Sequence, residues 1–97
     1  IKIMDSQTIC DYRMVNYMKE VAKKKKITTQ LEILPAGGTD TMGIQRSTPG
    51  GSIAGAISIP TRHIHQVIEM AHKNDIYQSV ELLKACIENL DQYDWSF

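Results

Sequence analysis

The chain has 97 residues, which suits one small domain, and 42% of them are hydrophobic and 23% charged, which excludes a disordered composition. Eleven basic and eleven acidic residues cancel, so the basic excess typical of phosphate-contacting proteins is absent and no nucleic-acid partner is predicted. The two cysteines cannot build a disulfide scaffold, and no apolar run is long enough to cross a membrane. A soluble, cytoplasmic protein is therefore expected.

The first half of the chain predicts a strand, a helix, a second strand and a short helix. Residues 1–4 form an apolar strand-like run, and helical spacing of apolar residues begins at about Thr8. The lysine run at 23–26 complements the dipole at the end of that helix. Residues 27–34 favour a second strand, which ends in a glycine turn, and Thr39 and Asp40 are candidate caps for a helix over 41–46.

The second half predicts a third strand, a polar loop and a long helix. Residues 53–59 form an isoleucine-rich strand containing small residues, which indicate close approach of a helix or a neighbouring backbone. A loop over 61–66 and a brief extended segment over 67–71 follow. The last helix is capped by Asn74 and Asp75 and ends near Asp91, and its apolar stripe consists of Ile76, Val80, Leu83, Ile87 and Leu90, widened by Leu82 and Cys86. The tail of Tyr93, Trp95 and Phe97 is expected to pack back on the body or on another subunit.

The strand and helix order predicts an α/β layered structure with about three strands and three helices. Within it, Arg62, His63 and His65 follow the third predicted strand, where open α/β sheets place their ligands. Because His63 and His65 are two residues apart, an extended loop would point them to opposite sides, so at most one is expected to bind a given metal. The carboxylates of Asp5, Asp40, Glu69 and Asp75 show no recognised ligand spacing with them.

A second candidate site is the glycine pair Gly37 and Gly38, followed by Thr39 and Asp40. Backbone N–H groups at such a turn can cradle an anion, although the sequence is not a Walker loop and also suits an ordinary turn with a helix cap. From these patterns alone, the alternatives are a polar site at the ends of strands two and three, a nucleotide-binding turn, and a non-catalytic assembly or interaction module.

Three segments together resemble a known family. IKIMD at 1–5, GGTDT at 37–41 and ISIPTRHIH at 57–65 occur in the order found in the C-terminal part of cytoplasmic metallo-aminopeptidases, the group that includes glutamyl and tetrahedral aminopeptidases. The resemblance implies that residues 1–97 are the C-terminal part of a three-layer α/β/α zinc-peptidase-like catalytic domain, with no complete second domain. It also implies removal of N-terminal residues from peptides, two divalent metal ions (Zn²⁺ or Co²⁺), and a homo-oligomer, a tetrahedral dodecamer in the family.

The resemblance also implies roles for individual residues. The histidine that ends the third segment is a metal ligand in the family and matches His65, with His63 in support. Arg62 and residues 37–40, which are Gly37, Gly38, Thr39 and Asp40, match segments beside the site. The other ligands and the catalytic general base are expected upstream of Ile1. The isolated 97-residue chain is therefore expected to be inactive.

Overall fold

The computed structural model describes residues 1–6, 9–34, 38, 41–47, 49–65 and 67–96 of the 97. The described residues form three α-helices and four short strands, which confirms the predicted α/β class. In chain order the elements are β1 (Lys2–Met4), α1 (Tyr12–Lys24), β2 (Glu32–Ile33), α2 (Thr41–Ser47), β3 (Thr61–Arg62), β4 (Met70–Ala71), α3 (Lys73–Glu88) and a final 3₁₀ turn (Leu90–Gln92).

The first helix, α1, has a defined start and end. The Asp11 side chain caps its N-terminus, where Oδ1 accepts a hydrogen bond from the backbone N–H of Arg13 at 2.9 Å. Lys23 and Lys24 occupy the last turn, as the lysine run predicted. The residues that α1 buries are Val15, Tyr17, Met18, Val21 and Ala22. Tyr12 is exposed at the first turn, and Tyr17 lies in the core.

The predicted strand over 27–34 is much shorter in the structure. Only Glu32–Ile33 forms β2, which pairs parallel with β1. The N–H groups of Glu32 and Leu34 donate to the carbonyls of Ile1 and Met4, both at 2.9 Å. Ile27 cannot join this pairing, because its N–H donates at 2.9 Å to the carbonyl of Ala22 and closes the end of α1. The three-residue β1 limits the length of the ladder.

The prediction of a third strand over 53–59 is wrong, since residues 51–60 have no regular secondary structure. The segment nevertheless lies beside β1. The N–H of Lys2 donates to the carbonyl of Ala56 at 3.0 Å, and the N–H of Asp11 donates to that of Ala54 at 3.1 Å. These bonds come from two separate parts of the chain, so they do not make a continuous ladder. The predicted close approach is confirmed at Gly55, where an added Cβ would lie 2.5 Å from Cγ of Met14.

The last helix, α3, begins earlier and buries a different face than predicted. His72, rather than Asn74 or Asp75, is its N-cap, and its Nδ1 accepts from the N–H of Asn74 at 3.1 Å. The helix ends at Glu88, and the 3₁₀ turn covers the region where it was expected to end. The buried residues are Leu82, Ala85 and Cys86, whereas the five residues of the predicted stripe are all exposed. The stripe therefore does not face the core of this chain.

The core lies between α1 and α3 and is closed by the aromatic tail. The ring of Tyr17 lies 5.0 Å from that of Tyr93 and 5.1 Å from that of Trp95, and the Tyr17 hydroxyl donates to the Cys86 carbonyl. Packing of the tail on the body is thus confirmed for Tyr93 and Trp95, while Phe97 lies outside the described residues. Cys10 and Cys86 are both buried free thiols, and burial raises the pKa of each. No helix in the described ranges is long and apolar enough to span a bilayer.

Candidate metal-ligand loop

The segment that carries the predicted ligand is a β-hairpin rather than a loop following a long strand. Directly after Pro60, β3 pairs antiparallel with β4, with Thr61 opposite Ala71 and Arg62 opposite Met70. The predicted loop over 61–66 therefore begins as a strand, and the predicted extended segment over 67–71 contributes β4. Residues 63–69 connect the two strands, and we call them the histidine loop.

The backbone of the histidine loop is tightly turned. His63 has φ of 60° and His65 has φ of 62°, so both adopt the left-handed conformation that non-glycine residues seldom use. We expected an extended loop that points the two imidazoles to opposite sides. The backbone is not extended at these two histidines, so the side-chain alternation of a strand does not apply to them. Each left-handed residue costs about 1–3 kcal/mol, and such positions cluster at functional sites.

A carboxylate holds this turn in place. The backbone N–H of His65 donates to Oε1 of Glu69 at 2.6 Å, a short bond of the kind that ionised acceptors form. Glu69 was considered from the sequence only as a possible metal ligand, and its role in fixing the loop was missed. The signal available in the sequence was an acid four residues after a histidine. That spacing does not reveal a tight turn.

The described residues do not build a metal site on their own. His63 and His65 are exposed, and no group of three or more His, Cys, Asp or Glu residues within the described ranges could hold a metal ion. Asp5 is paired with Lys2, and Asp75 lies in the first turn of α3. One imidazole offers one bond to a metal, whereas protein sites normally use three or more ligands. The assignment of His65 as a ligand stays a prediction.

Of the other predicted site residues, the structure describes Arg62 and Gly38. Arg62 is exposed on β3, next to the histidine loop. Gly38 is exposed as well, but Gly37, Thr39 and Asp40 lie outside the described residues. The anion cradle over 37–40 therefore stays a prediction, and so does the cap that Thr39 or Asp40 would give α2.

An open groove of about 750 Å³ borders the histidine loop. Its walls are residues 27–34 on one side and residues 57–61 on the other, and α3 contributes Asp75, Gln78, Ser79 and Leu82. Thr61 and Ile64 both line it, so the hairpin lies at the edge of the groove. Apolar side chains and extended backbone together can accommodate an extended peptide or a further strand.

A buried charge network connects the groove to the sheet. Nζ of Lys2, whose side chain is 2% exposed, lies 3.2 Å from Oδ2 of Asp5 and 3.2 Å from Oε1 of Glu32. The Ser58 hydroxyl donates to the same Glu32 oxygen at 3.0 Å. Burial lowers the pKa of Lys2, but the hydrogen bonds to Asp5 and Glu32 outweigh it, so the net pKa is raised. The network joins β1, β2 and the segment that leads to the hairpin.

Comparison with known proteins identifies the relatives of this chain. Residues 1–82, which include the whole histidine loop, match the family described as M42 glutamyl aminopeptidase. A protein named "Putative aminopeptidase" from Acetivibrio thermocellus is 44% identical over 87 residues, covering 90% of this chain and 26% of that protein. A protein named "Lysyl aminopeptidase" from Pyrococcus furiosus is 33% identical over 95 residues, covering 97% of this chain and 27% of that protein. The chain thus spans about a quarter of the length of these curated relatives.

Proposed function

The chain belongs to the M42 glutamyl aminopeptidase family, and from this membership we propose that it forms part of a metal-dependent aminopeptidase that releases N-terminal residues from peptides. The observation that carries the proposal is the family match over residues 1–82, which includes the histidine loop and the segment leading to it. The aminopeptidase names of the two relatives support the reaction class. Peptides are the proposed substrates.

The histidine loop is the part of this chain proposed to face the site. Both histidines have a left-handed backbone, and the Glu69 carboxylate accepts the backbone N–H of His65, so the turn fixes the backbone from which the His65 imidazole projects. We assign His65 as one metal ligand, with His63 and Arg62 beside it. Since the described residues do not complete a metal site, the remaining ligands of the two proposed ions, Zn²⁺ or Co²⁺, and the general base would come from other parts of a longer polypeptide.

The proposal also covers the cellular location and the oligomeric state of that polypeptide. A cytoplasmic homo-oligomer is proposed, as the family resemblance implies. A chain that supplies a single ligand should neither bind two divalent ions nor hydrolyse peptides alone. Incubating the pure 97-residue chain with Zn²⁺ or Co²⁺ and an aminoacyl anilide should give no hydrolysis above the buffer rate. Metal-dependent hydrolysis that disappears in His65→Ala would contradict the proposed division of the site.

The ligand assignment can be tested in a chimera. The 87 matching residues of the Acetivibrio thermocellus relative are replaced by the corresponding residues of this chain, and the bound metal is counted by elemental analysis. His65→Ala should lower the metal content of the purified chimera. His72→Ser is the matched control, because it also removes an imidazole but keeps a side chain able to cap α3. Equal metal content in the two variants would overturn the assignment of His65.

A further inference from the structure

Glu69 is the residue whose side chain holds the backbone of the histidine loop at His65. Its Oε1 accepts the backbone N–H of His65 at 2.6 Å. We propose that Glu69 is a positioning residue for the metal ligand, which sets how tightly the site binds metal by holding the His65 backbone. This rests on the proposed function, in which the His65 imidazole is a ligand, and it gives Glu69 no bond to the metal.

The strands below the histidine loop are too short to order the loop by themselves, since β3 and β4 are each two residues long. Beyond them, His63 and His65 both adopt the left-handed conformation. That conformation is unfavourable for residues other than glycine and persists only where surrounding contacts impose it. The bond to Glu69 is such a contact, and the left-handed residue that makes it is the proposed ligand.

Glu69 links the proposed ligand to the paired strands. It directly precedes β4, and the next residue, Met70, lies opposite Arg62 in the ladder. The backbone of Glu69 is therefore held beside the strands, while its side chain reaches back to the N–H of His65. The direction in which an imidazole leaves the chain follows from the backbone that carries it. Loss of this bond should therefore let the imidazole leave the position that a metal requires.

The acceptor in this bond is a carboxylate, which suits an exposed position. Glu69 is exposed, so water competes for the N–H of His65. Hydrogen bonds to an ionised acceptor are about twice as strong as those to a neutral one. Glutamine keeps an acceptor oxygen at the same reach without the charge, whereas alanine has no acceptor. Glu69→Gln should therefore weaken the hold on His65, and Glu69→Ala should remove it.

Loss of Glu69 and loss of His65 should affect metal binding in different ways. Groups that orient a ligand without touching the metal change its affinity about tenfold to a hundredfold when they are removed. In Glu69→Ala the imidazole is still present, so excess metal should refill the site and restore peptide hydrolysis. In His65→Ala a bond to the metal is missing, and excess metal should not restore hydrolysis.

Metal titration of the chimera with the Acetivibrio thermocellus relative tests the proposal. Zn²⁺ is titrated against a competing chelator, and circular dichroism confirms that each variant is folded. Glu69→Ala should raise the dissociation constant about tenfold to a hundredfold, Glu69→Gln should raise it less, and hydrolysis by Glu69→Ala should return in excess metal. Glu81→Ala is the matched control, because Glu81 is an exposed glutamate on α3 and should leave the constant unchanged.

Two results of this titration would overturn the proposal. One is an unchanged dissociation constant in Glu69→Ala. The other is an equal loss of affinity in Glu69→Gln and Glu69→Ala, because the carboxylate would then bind the metal itself rather than position His65.

Nuclear magnetic resonance of the 97-residue chain tests the hydrogen bond without any metal. A short bond to a carboxylate moves the amide proton signal of His65 downfield, so Glu69→Ala should move this signal upfield, and further than Glu69→Gln does. A His65 amide signal at the same position in both variants and in the unaltered chain would refute the role of Glu69.

The variants also separate this proposal from the proposed function. If His65→Ala leaves the metal content of the chimera unchanged, the ligand assignment is wrong, and the role of Glu69 is wrong with it. If His65→Ala lowers the metal content but Glu69→Ala leaves the affinity unchanged, only the role of Glu69 is wrong.

Discussion

Replacing Lys2 with methionine should destabilise the fold far more than altering either end of an ordinary surface ion pair. Methionine keeps the length and apolar stem of lysine but removes the ammonium group. That ammonium lies 3.2 Å from both Oδ2 of Asp5 and Oε1 of Glu32, and the Lys2 and Asp5 side chains are only 2% and 0% exposed. Lys2→Met therefore takes the cation away from a carboxylate that water cannot reach.

The expected loss of stability follows from the difference in burial between the Asp5 and Glu32 carboxylates. Removing one partner of a fully buried pair costs about 3–5 kcal/mol, because the other charge is left uncompensated in the interior. Glu32 is 36% exposed and can be solvated, so the loss of its own charge in Glu32→Gln should cost no more than about 1 kcal/mol. The expected difference between the two substitutions is thus at least about 2 kcal/mol.

Urea denaturation followed by circular dichroism measures both costs. Combining Lys2→Met with Asp5→Asn should recover most of the loss, since the buried negative charge is then gone. Equal destabilisation by Lys2→Met and Glu32→Gln would refute the reasoning. So would a double variant no more stable than Lys2→Met, because the burial of Asp5 would then not explain the effect.

Two further effects follow from the contacts of α1. The Arg13 guanidinium hydrogen-bonds Asp11 and lowers the pKa of that carboxyl below 3.8, so its capping contribution is complete above pH 3.8 and is lost as the pH falls through the lowered value. Asp11→Ala should cost about 1 kcal/mol at pH 7 and progressively less as the pH falls through the lowered pKa, and a cost that thermal melts show to be the same at neutral and acid pH would contradict this. Gly55→Ala should cost about 1–3 kcal/mol, since its Cβ would lie 2.5 Å from Cγ of Met14. Gly43→Ala, which has open space around it, is the control and should not lower the melting temperature.

The elements that could be predicted from sequence are those defined by local signals. The amphipathic spacing of α1, the apolar β1 and the position of α2 all depend on neighbours within a few residues. The tail packed as expected because Tyr93 and Trp95 bury large rings against Tyr17.

The elements that were mispredicted depend on partners far away in the sequence. Residues 53–59 have strong strand propensity, but a strand needs a continuous neighbour, and within the described structure this segment receives only scattered bonds from Lys2 and Asp11. Helix α3 has two apolar faces, and the smaller one, which contains Leu82 and Ala85, packs in the core. Periodicity shows that a stripe exists but does not show which partner covers it.

The candidate site was predictable in its residues but not in its shape. The sequence singled out His65 and its neighbours, yet the tight turn, the left-handed backbone and the bond to Glu69 depend on the β3–β4 pairing, which had no clear sequence signal. Whether His65 binds metal depends on side chains beyond those described. The local sequence was enough to predict one metal ligand, but it could not predict the other ligands of the site.

Peptide hydrolysis by the chimera with the Acetivibrio thermocellus relative tests the central claim most directly. If this chain supplies a working part of an aminopeptidase, the chimera should release N-terminal residues from a panel of aminoacyl anilides when Zn²⁺ or Co²⁺ is present. His65→Ala should lower kcat/KM at least about a hundredfold, since a directly bound ligand matters more than the groups that support it, and His72→Ser should not. A folded chimera that hydrolyses no anilide, or one that is equally active with His65→Ala, would contradict the account.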